Sequence, residues 1–219
     1  MYVTGVTLDS CPCDLELAMN SYGSVAFSAG NFDFVRNEMD KYHVFIKDTS
    51  ICLTGRSEWT YQSLFGLKPD AVDRWRGKVC LETGPGFGGM LERLIAVQKG
   101  SGIRPIAIDL YDPGELLTVL SSLQYFRKSM TIWTGQLKTY MHADHINRRL
   151  SLFSNPELVD FRVGDVTKLI KGIGDASVDI RIDLIGAEYY ASKDPRKKAV
   201  IENEFRRIMK PGGISLVDS

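Results

Sequence analysis

The sequence predicts a doubly wound α/β domain: a mostly parallel sheet with helices on both faces. Three observations carry that expectation. From Gly77 onward, short apolar runs alternate with segments of helical periodicity, the pattern of parallel strands buried on both faces. One run delivers the chain into a glycine-rich turn, Gly84-Pro85-Gly86-Phe87-Gly88-Gly89, that opens a helix, and glycines there allow positive φ and close backbone approach to a ligand. Hydrophobic residues make up 44% of the chain and charged residues 25%, enough for a packed core and unlike the bias of disordered chains.

The 219 residues suit one domain, or a domain with an appendage. Residues 1–70 read as an N-terminal cap or lid. It holds alternating runs at Tyr2–Leu8 and Ser24–Phe27, turns at Gly23 and Ala29-Gly30-Asn31, and a short helix expected from Phe32 to Phe45. Residues 71–219 form the main domain, with five strands expected at Val79–Leu81, Pro105–Ile108, Phe161–Val163, Val178–Ile182 and Ile214–Val217. Met90, Leu91, Leu94 and Ile95 give the helix after the glycines its apolar stripe. In the last helix Asp194 is placed to cap, Pro195 suits the first turn, and Ile201, Phe205 and Ile208 share a face before Lys210-Pro211-Gly212-Gly213 stops it. Between the second and third strands an insertion, 113–157, is too long for a simple crossover. It is expected to be helical, one helix carrying Leu116, Leu120 and Leu123 and another Trp133, Leu137, Tyr140 and Met141, before a mixed stretch from His142 to Phe153.

Charge and composition narrow the function classes. Lys+Arg and Asp+Glu both number 27, so the basic excess that nucleic-acid binding draws on is missing. No apolar run reaches membrane-spanning length, and the first residues carry neither a basic leader nor an apolar signal core, so a cytoplasmic protein without membrane contact is expected. Cys11 and Cys13 form a lone C-x-C without a second pair, and no metal is expected.

Gly84, Gly86 and Gly89 satisfy G-x-G-x-x-G, which by itself fits a dinucleotide. The neighbours argue otherwise. Glu82, two residues before the first glycine, gives E-x-G-x-G-x-G, and an anion there sits poorly beside a pyrophosphate but well near a cation. Asp109 ends the next strand about 20 residues past the loop, where a carboxylate can accept from both ribose hydroxyls. Its plain alternative is a solvated turn residue before Pro113-Gly114.

With these residues in view, residues 59–219 resemble the class I S-adenosylmethionine-dependent methyltransferases. The resemblance rests on Leu81–Gly89, Ile106–Leu110, Phe161–Val166 and Phe205–Val217. It implies a Rossmann-like sheet of order 3-2-1-4-5 and S-adenosylmethionine as cofactor. It implies that Glu82, Thr83, Gly84, Pro85, Gly86 and Gly88 approach the methionine and adenosyl part, Asp109 and Leu110 the ribose, Asp165 and Val166 the adenine, and Asp183 the methyl group and substrate. Asp165 also reads as an ordinary turn residue after Gly164.

The expected activity is methyl transfer to oxygen or nitrogen of a small-molecule acceptor. Catalytic candidates are His142 and His145 in the insertion, and Glu188, Tyr189 and Tyr190 after the fourth strand. The two histidines have metal-ligand spacing without a third ligand. Two other classes stay open: a catalytically silent, methyltransferase-like scaffold subunit, and an NAD(P)-dependent oxidoreductase using the same glycines. The family's sheet continues with an antiparallel sixth and seventh strand, whereas this sequence stops at Ser219. Three remedies for the fifth-strand edge are expected alternatives: a longer chain, a homo-oligomer contact, or Tyr2–Leu8 and Ser24–Phe27 folding back to cover it.

Overall fold

A computed structural model describes residues 24–36, 42–48, 52–53, 58–122, 131–133, 140–184, 186–191 and 194–217. They form a mixed α/β structure built on two sheets. The N-terminal strands are β1 (Ser24–Ala29), β2 (Phe32–Arg36), β3 (Tyr42–Ile46) and β4 (Cys52–Leu53), followed by helix α1 (Glu58–Phe65) and a single 3-10 turn at Val72–Trp75. Then come β5 (Cys80–Thr83), α2 (Gly89–Gln98), β6 (Ile106–Asp109) and α3 (Pro113–Ser122). The insertion continues through β7 (Thr131–Trp133), β8 (Tyr140–His142) and α4 (Ala143–Phe153). The chain closes with β9 (Asp160–Val163), α5 (Val166–Leu169), β10 (Val178–Asp183), α6 (Ala187–Ala191), α7 (Pro195–Ile208) and β11 (Met209–Val217).

The main sheet has five strands in the order β11-β10-β5-β6-β9, and every neighbouring pair is parallel. The central strand β5 is buried along its whole length. One sheet face carries Leu81, Ile108 and Val178 under Ala191, Ile201, Phe205 and Ile208. The other carries Cys80, Ile180 and Ile182 under Tyr61, Trp75, Met90 and Leu94. Local signals place the helices as expected: Asp194 caps α7 by accepting from the N–H groups of Arg196 at 3.0 Å and Lys197 at 3.2 Å, and Pro195 opens it. The Lys210–Gly213 stretch, expected to separate helix from strand, instead lies within β11, where pairing jumps from Val178–Met209 to Ile180–Ile214.

Three expectations need correction. The helix foreseen from Phe32 to Phe45 is the antiparallel pair β2 and β3, joined in register from Phe32–Ile46 to Arg36–Tyr42. Phe32 and Phe34 point into the core two residues apart, the period of a strand. The second insertion helix, around Trp133 to Met141, is instead the antiparallel pair β7 and β8, and the mixed stretch is largely helix α4, which buries Leu150 and Phe153. Ser24–Phe27 does not reach the β11 edge: as part of β1 it pairs with β2 in a second sheet of order β1-β2-β3-β7-β8, with β4 on β3. Tyr2–Leu8 lies outside the described residues. The second sheet is continuous with the main core, because Phe32, Phe34, Val44 and Leu53 pack in one cluster with Phe87, Leu91, Tyr111, Leu116, Leu150 and Phe153.

Candidate functional site

In open α/β sheets ligands bind outside the carboxyl ends of the strands, where successive connections diverge. Here that point lies at the ends of β5, β10 and β6. Thr83 pairs with Asp183 on one side and Ile108 on the other, so Glu82, Thr83, Asp183 and Asp109 reach this end together. Alternation sorts them by face: Glu82 and Asp109 share one face, Thr83 and Asp183 the other.

The glycine loop leaves β5 with φ of 66° at Gly84, 56° at Gly86 and 70° at Gly88. Its three glycine N–H groups are all used internally. Gly84 donates to Ile108 O at 2.9 Å and Gly88 to Pro85 O at 2.8 Å, while Gly86 donates to Asp109 Oδ2 at 3.2 Å. Asp109 Oδ1 accepts from Leu110 N–H at 2.7 Å. Gly86 O accepts from the Tyr111 hydroxyl. The loop therefore turns a backbone donor toward a carboxylate, not outward as a phosphate cradle would.

The acids differ in their surroundings. Glu82 is 1% exposed and accepts from the Tyr61 hydroxyl at 2.7 Å. Burial pushes Asp109 up to about 7, against the opposing pull of the N–H groups of Leu110, Gly86 and Tyr111. Burial likewise pushes Asp183 up to about 6, opposed by the Glu188 N–H and the Arg181 charge. Asp183 Oδ2 accepts from Glu188 N at 3.0 Å, and the Thr83 hydroxyl beside Asp183 also opposes the rise. A carboxyl held above its unfolded value binds its proton more tightly when folded, so the folded state loses stability as pH rises through the window from about 4 to about 6. Asp183→Asn should remove up to about 3 kcal/mol of that loss. Thermal unfolding at a series of pH values checks this: the variant should gain on wild type as pH rises from about 4 to about 6 and level off above that, and a pH-independent difference would refute the assignment.

Other expected residues land in less suggestive places. Asp165 is exposed and caps α5, accepting from Thr167 N at 2.9 Å and Thr167 Oγ1 at 2.8 Å. Val166 follows it as the first residue of that short helix. Glu188 is ion-paired with Arg181, whose guanidinium lies 3.6 Å from the Phe205 ring centroid. The pair engages Glu188 Oε1. His142 closes β8, His145 lies in the first turn of α4, and Tyr189 and Tyr190 lie in α6; their side chains lie outside the described residues. Pro85 and Gly88 shape the loop, and Gly88 precedes the first turn of α2. Cys11 and Cys13 fall outside the described residues, and among those described no group of three or more His, Cys, Asp or Glu side chains could hold a metal. No helix of the described residues is long and apolar enough to cross a membrane.

Sequence reading named Val163 only within the stretch Phe161–Val166 and missed Tyr61 and Tyr111 at this end. Val163, at the tip of β9 and paired with Asp109, is 46% exposed beside Leu110 at 42%. Exposed apolar side chains flanking a polar crevice are the usual walls of a ring-binding slot. Tyr61 and Tyr111 touch the loop and its acids only through tertiary packing, so no local signal marks them. A cavity of about 480 Å³ lies at the opposite end of the sheet, lined by Trp75, Lys78, Asp179 and Lys210. It contains none of the candidate catalytic or cofactor-binding residues, and the Lys210–Asp179 pair at 2.8 Å spans part of it. Compared with protein-family models and with curated proteins, the sequence matches none.

Proposed function

We propose that the chain is an S-adenosylmethionine-dependent methyltransferase that modifies oxygen or nitrogen of a small-molecule acceptor. The observation that carries this reading is the hydrogen bond from Gly86 N–H to Asp109. A carboxylate occupies the place where a dinucleotide-binding loop would present its donor to a pyrophosphate. With Glu82 and Asp183 also buried at the strand ends, the site suits a nucleoside that bears positive charge and no phosphate. Counted along the chain from β5, the parallel strands run 3-2-1-4-5 across the sheet, which supports a Rossmann-like, doubly wound assignment.

In this reading Asp109 accepts from the ribose hydroxyls through its remaining lone pairs, and Leu110, Val163 and Val166 flank the adenine with Asp165 nearby. The loop from Thr83 to Gly88 shapes the methionine end with Glu82, and Asp183 with Glu188 borders the acceptor side. When bound, the donor supplies a methyl group already activated as a sulfonium. The protein's contribution is then mainly to hold acceptor and methyl in line. A base is needed only where the acceptor must lose a proton; His142, His145, Glu188 and Tyr189 are the candidates, Glu188 with its Oε1 held by Arg181.

Calorimetry on the full chain with S-adenosylhomocysteine, NAD and NADP tests the reading. Binding of the homocysteine product without either dinucleotide is expected; the reverse would turn the assignment to an oxidoreductase. The Arg181–Glu188 pair favours a second reading, in which the chain binds the nucleoside as a silent subunit. Product binding without turnover across an acceptor panel would select it.

A further inference from the structure

We infer that Tyr111 is a positioning residue for the nucleoside site, holding Gly86 by its carbonyl while Phe32 of the N-terminal sheet holds the tyrosine ring. This rests on the reading of the crevice given above. Gly86 is gripped at both backbone groups: its N–H donates to Asp109 Oδ2, and its carbonyl accepts from the Tyr111 hydroxyl. A residue with φ of 56° between two positive-φ glycines has a wide choice of alternative conformations, and a glycine-rich loop loses more entropy on ordering than any other. Two hydrogen bonds from one direction of the chain, Asp109 and Tyr111, remove that choice before a ligand arrives.

Tyr111 is itself fixed. It is 4% exposed, and its ring meets Phe32 edge-on, with centroids 6.4 Å apart and planes at 84°. Phe32 is 1% exposed and opens β2, which is paired on both sides by β1 and β3. The second sheet is therefore mechanically continuous with the loop through one aromatic contact and one hydroxyl. Burial beside Asp109 and Glu82 pushes the phenol well above its ordinary range, so it stays a donor at working pH. The N-terminal strands thus act on the ligand loop from beneath, and preorganisation of this kind improves affinity by reducing the ordering cost of binding.

The test is hydrogen–deuterium exchange on the full chain, comparing wild type with Tyr111→Phe and Phe32→Leu, alongside calorimetry with S-adenosylhomocysteine. Tyr111→Phe keeps the ring and removes only the donor. Exchange in the peptide covering residues 84–91 should rise at least fivefold while peptides from β10 and β11 stay unchanged, and affinity should fall about tenfold, the scale of one lost hydrogen bond. Phe32→Leu should move both quantities in the same direction by less. Unchanged loop exchange in Tyr111→Phe overturns the inference, as does a rise spread equally over the whole sheet or unaltered affinity with a loosened loop. If wild type binds no S-adenosylhomocysteine, the functional reading fails, and the exchange comparison alone decides whether Tyr111 fixes the loop.

Discussion

Gly88→Ala should lower the thermal midpoint by about 4–20 °C. Two costs combine. The residue sits at φ of 70° and ψ of 39°, the left-handed region that costs an L-residue about 1–2 kcal/mol. A Cβ there would also land on Cε2 and Cζ of Phe153, closer than real Cβ contacts come. Phe153 is 1% exposed and wedged among Phe87, Leu91, Tyr111 and Leu150, so its ring has nowhere to retreat, and overpacking of such a core costs about 1–3 kcal/mol more. In a domain of this size each 1 kcal/mol moves the midpoint by about 2–4 °C. Gly102→Ala separates the two costs, since Gly102 has φ of 76° with nothing within 4 Å of the added Cβ. It should lose only about 2–8 °C. A Gly88→Ala midpoint equal to that of Gly102→Ala would show that Phe153 yields, and Phe153→Leu in the Gly88→Ala background should recover part of the loss if it does not.

The same contact shows where sequence reading reaches its limit. The glycine loop, the five parallel strands and the capped helix α7 were legible because each is set by neighbours in sequence: alternation of runs, positive-φ glycines, an Asp-Pro start. The second sheet was not. Phe32 to Phe45 has apolar residues at spacings compatible with either a helix or a strand pair, and what decides between them is β7, which joins β3 through Tyr42 and Ile132, far away along the chain. Likewise β7 and β8 take their inward face from a core assembled from both halves of the molecule, and short strands read weakly when their partners are remote. At the site, Glu82, Asp109 and Asp183 were found because strand ends can be counted from the pattern. Tyr61 and Tyr111 were not, because a hydroxyl pointed at a carboxylate or a carbonyl leaves no periodic trace. Asp165 shows the opposite difficulty: its residue type suits both a cap and a ligand contact, and the cap is visibly made.

Asp109→Asn should move stability and affinity in opposite directions, and that divergence is what marks a binding residue. Above pH 7 the wild-type carboxylate is ionised in surroundings that favour its neutral form, burial being the main cause. The variant removes that cost and keeps oxygen acceptors of similar shape for the N–H groups of Leu110 and Gly86. At pH 8 it should be more stable than wild type by up to about 4 kcal/mol. The advantage should shrink as pH falls through 7 and be gone near 4, where Asp109 is protonated in both folded and unfolded chains. Affinity for S-adenosylhomocysteine should fall by about 1–3 kcal/mol, the loss expected when a charged acceptor of hydroxyl groups becomes neutral, and the cationic donor should lose more than its uncharged product. A residue that only braced the loop, as Tyr111 does, would give another pairing, with stability and affinity falling together. Measuring unfolding and binding on one preparation at pH 8 decides between them, since only a group held ionised for a ligand gains stability and loses affinity in the same substitution.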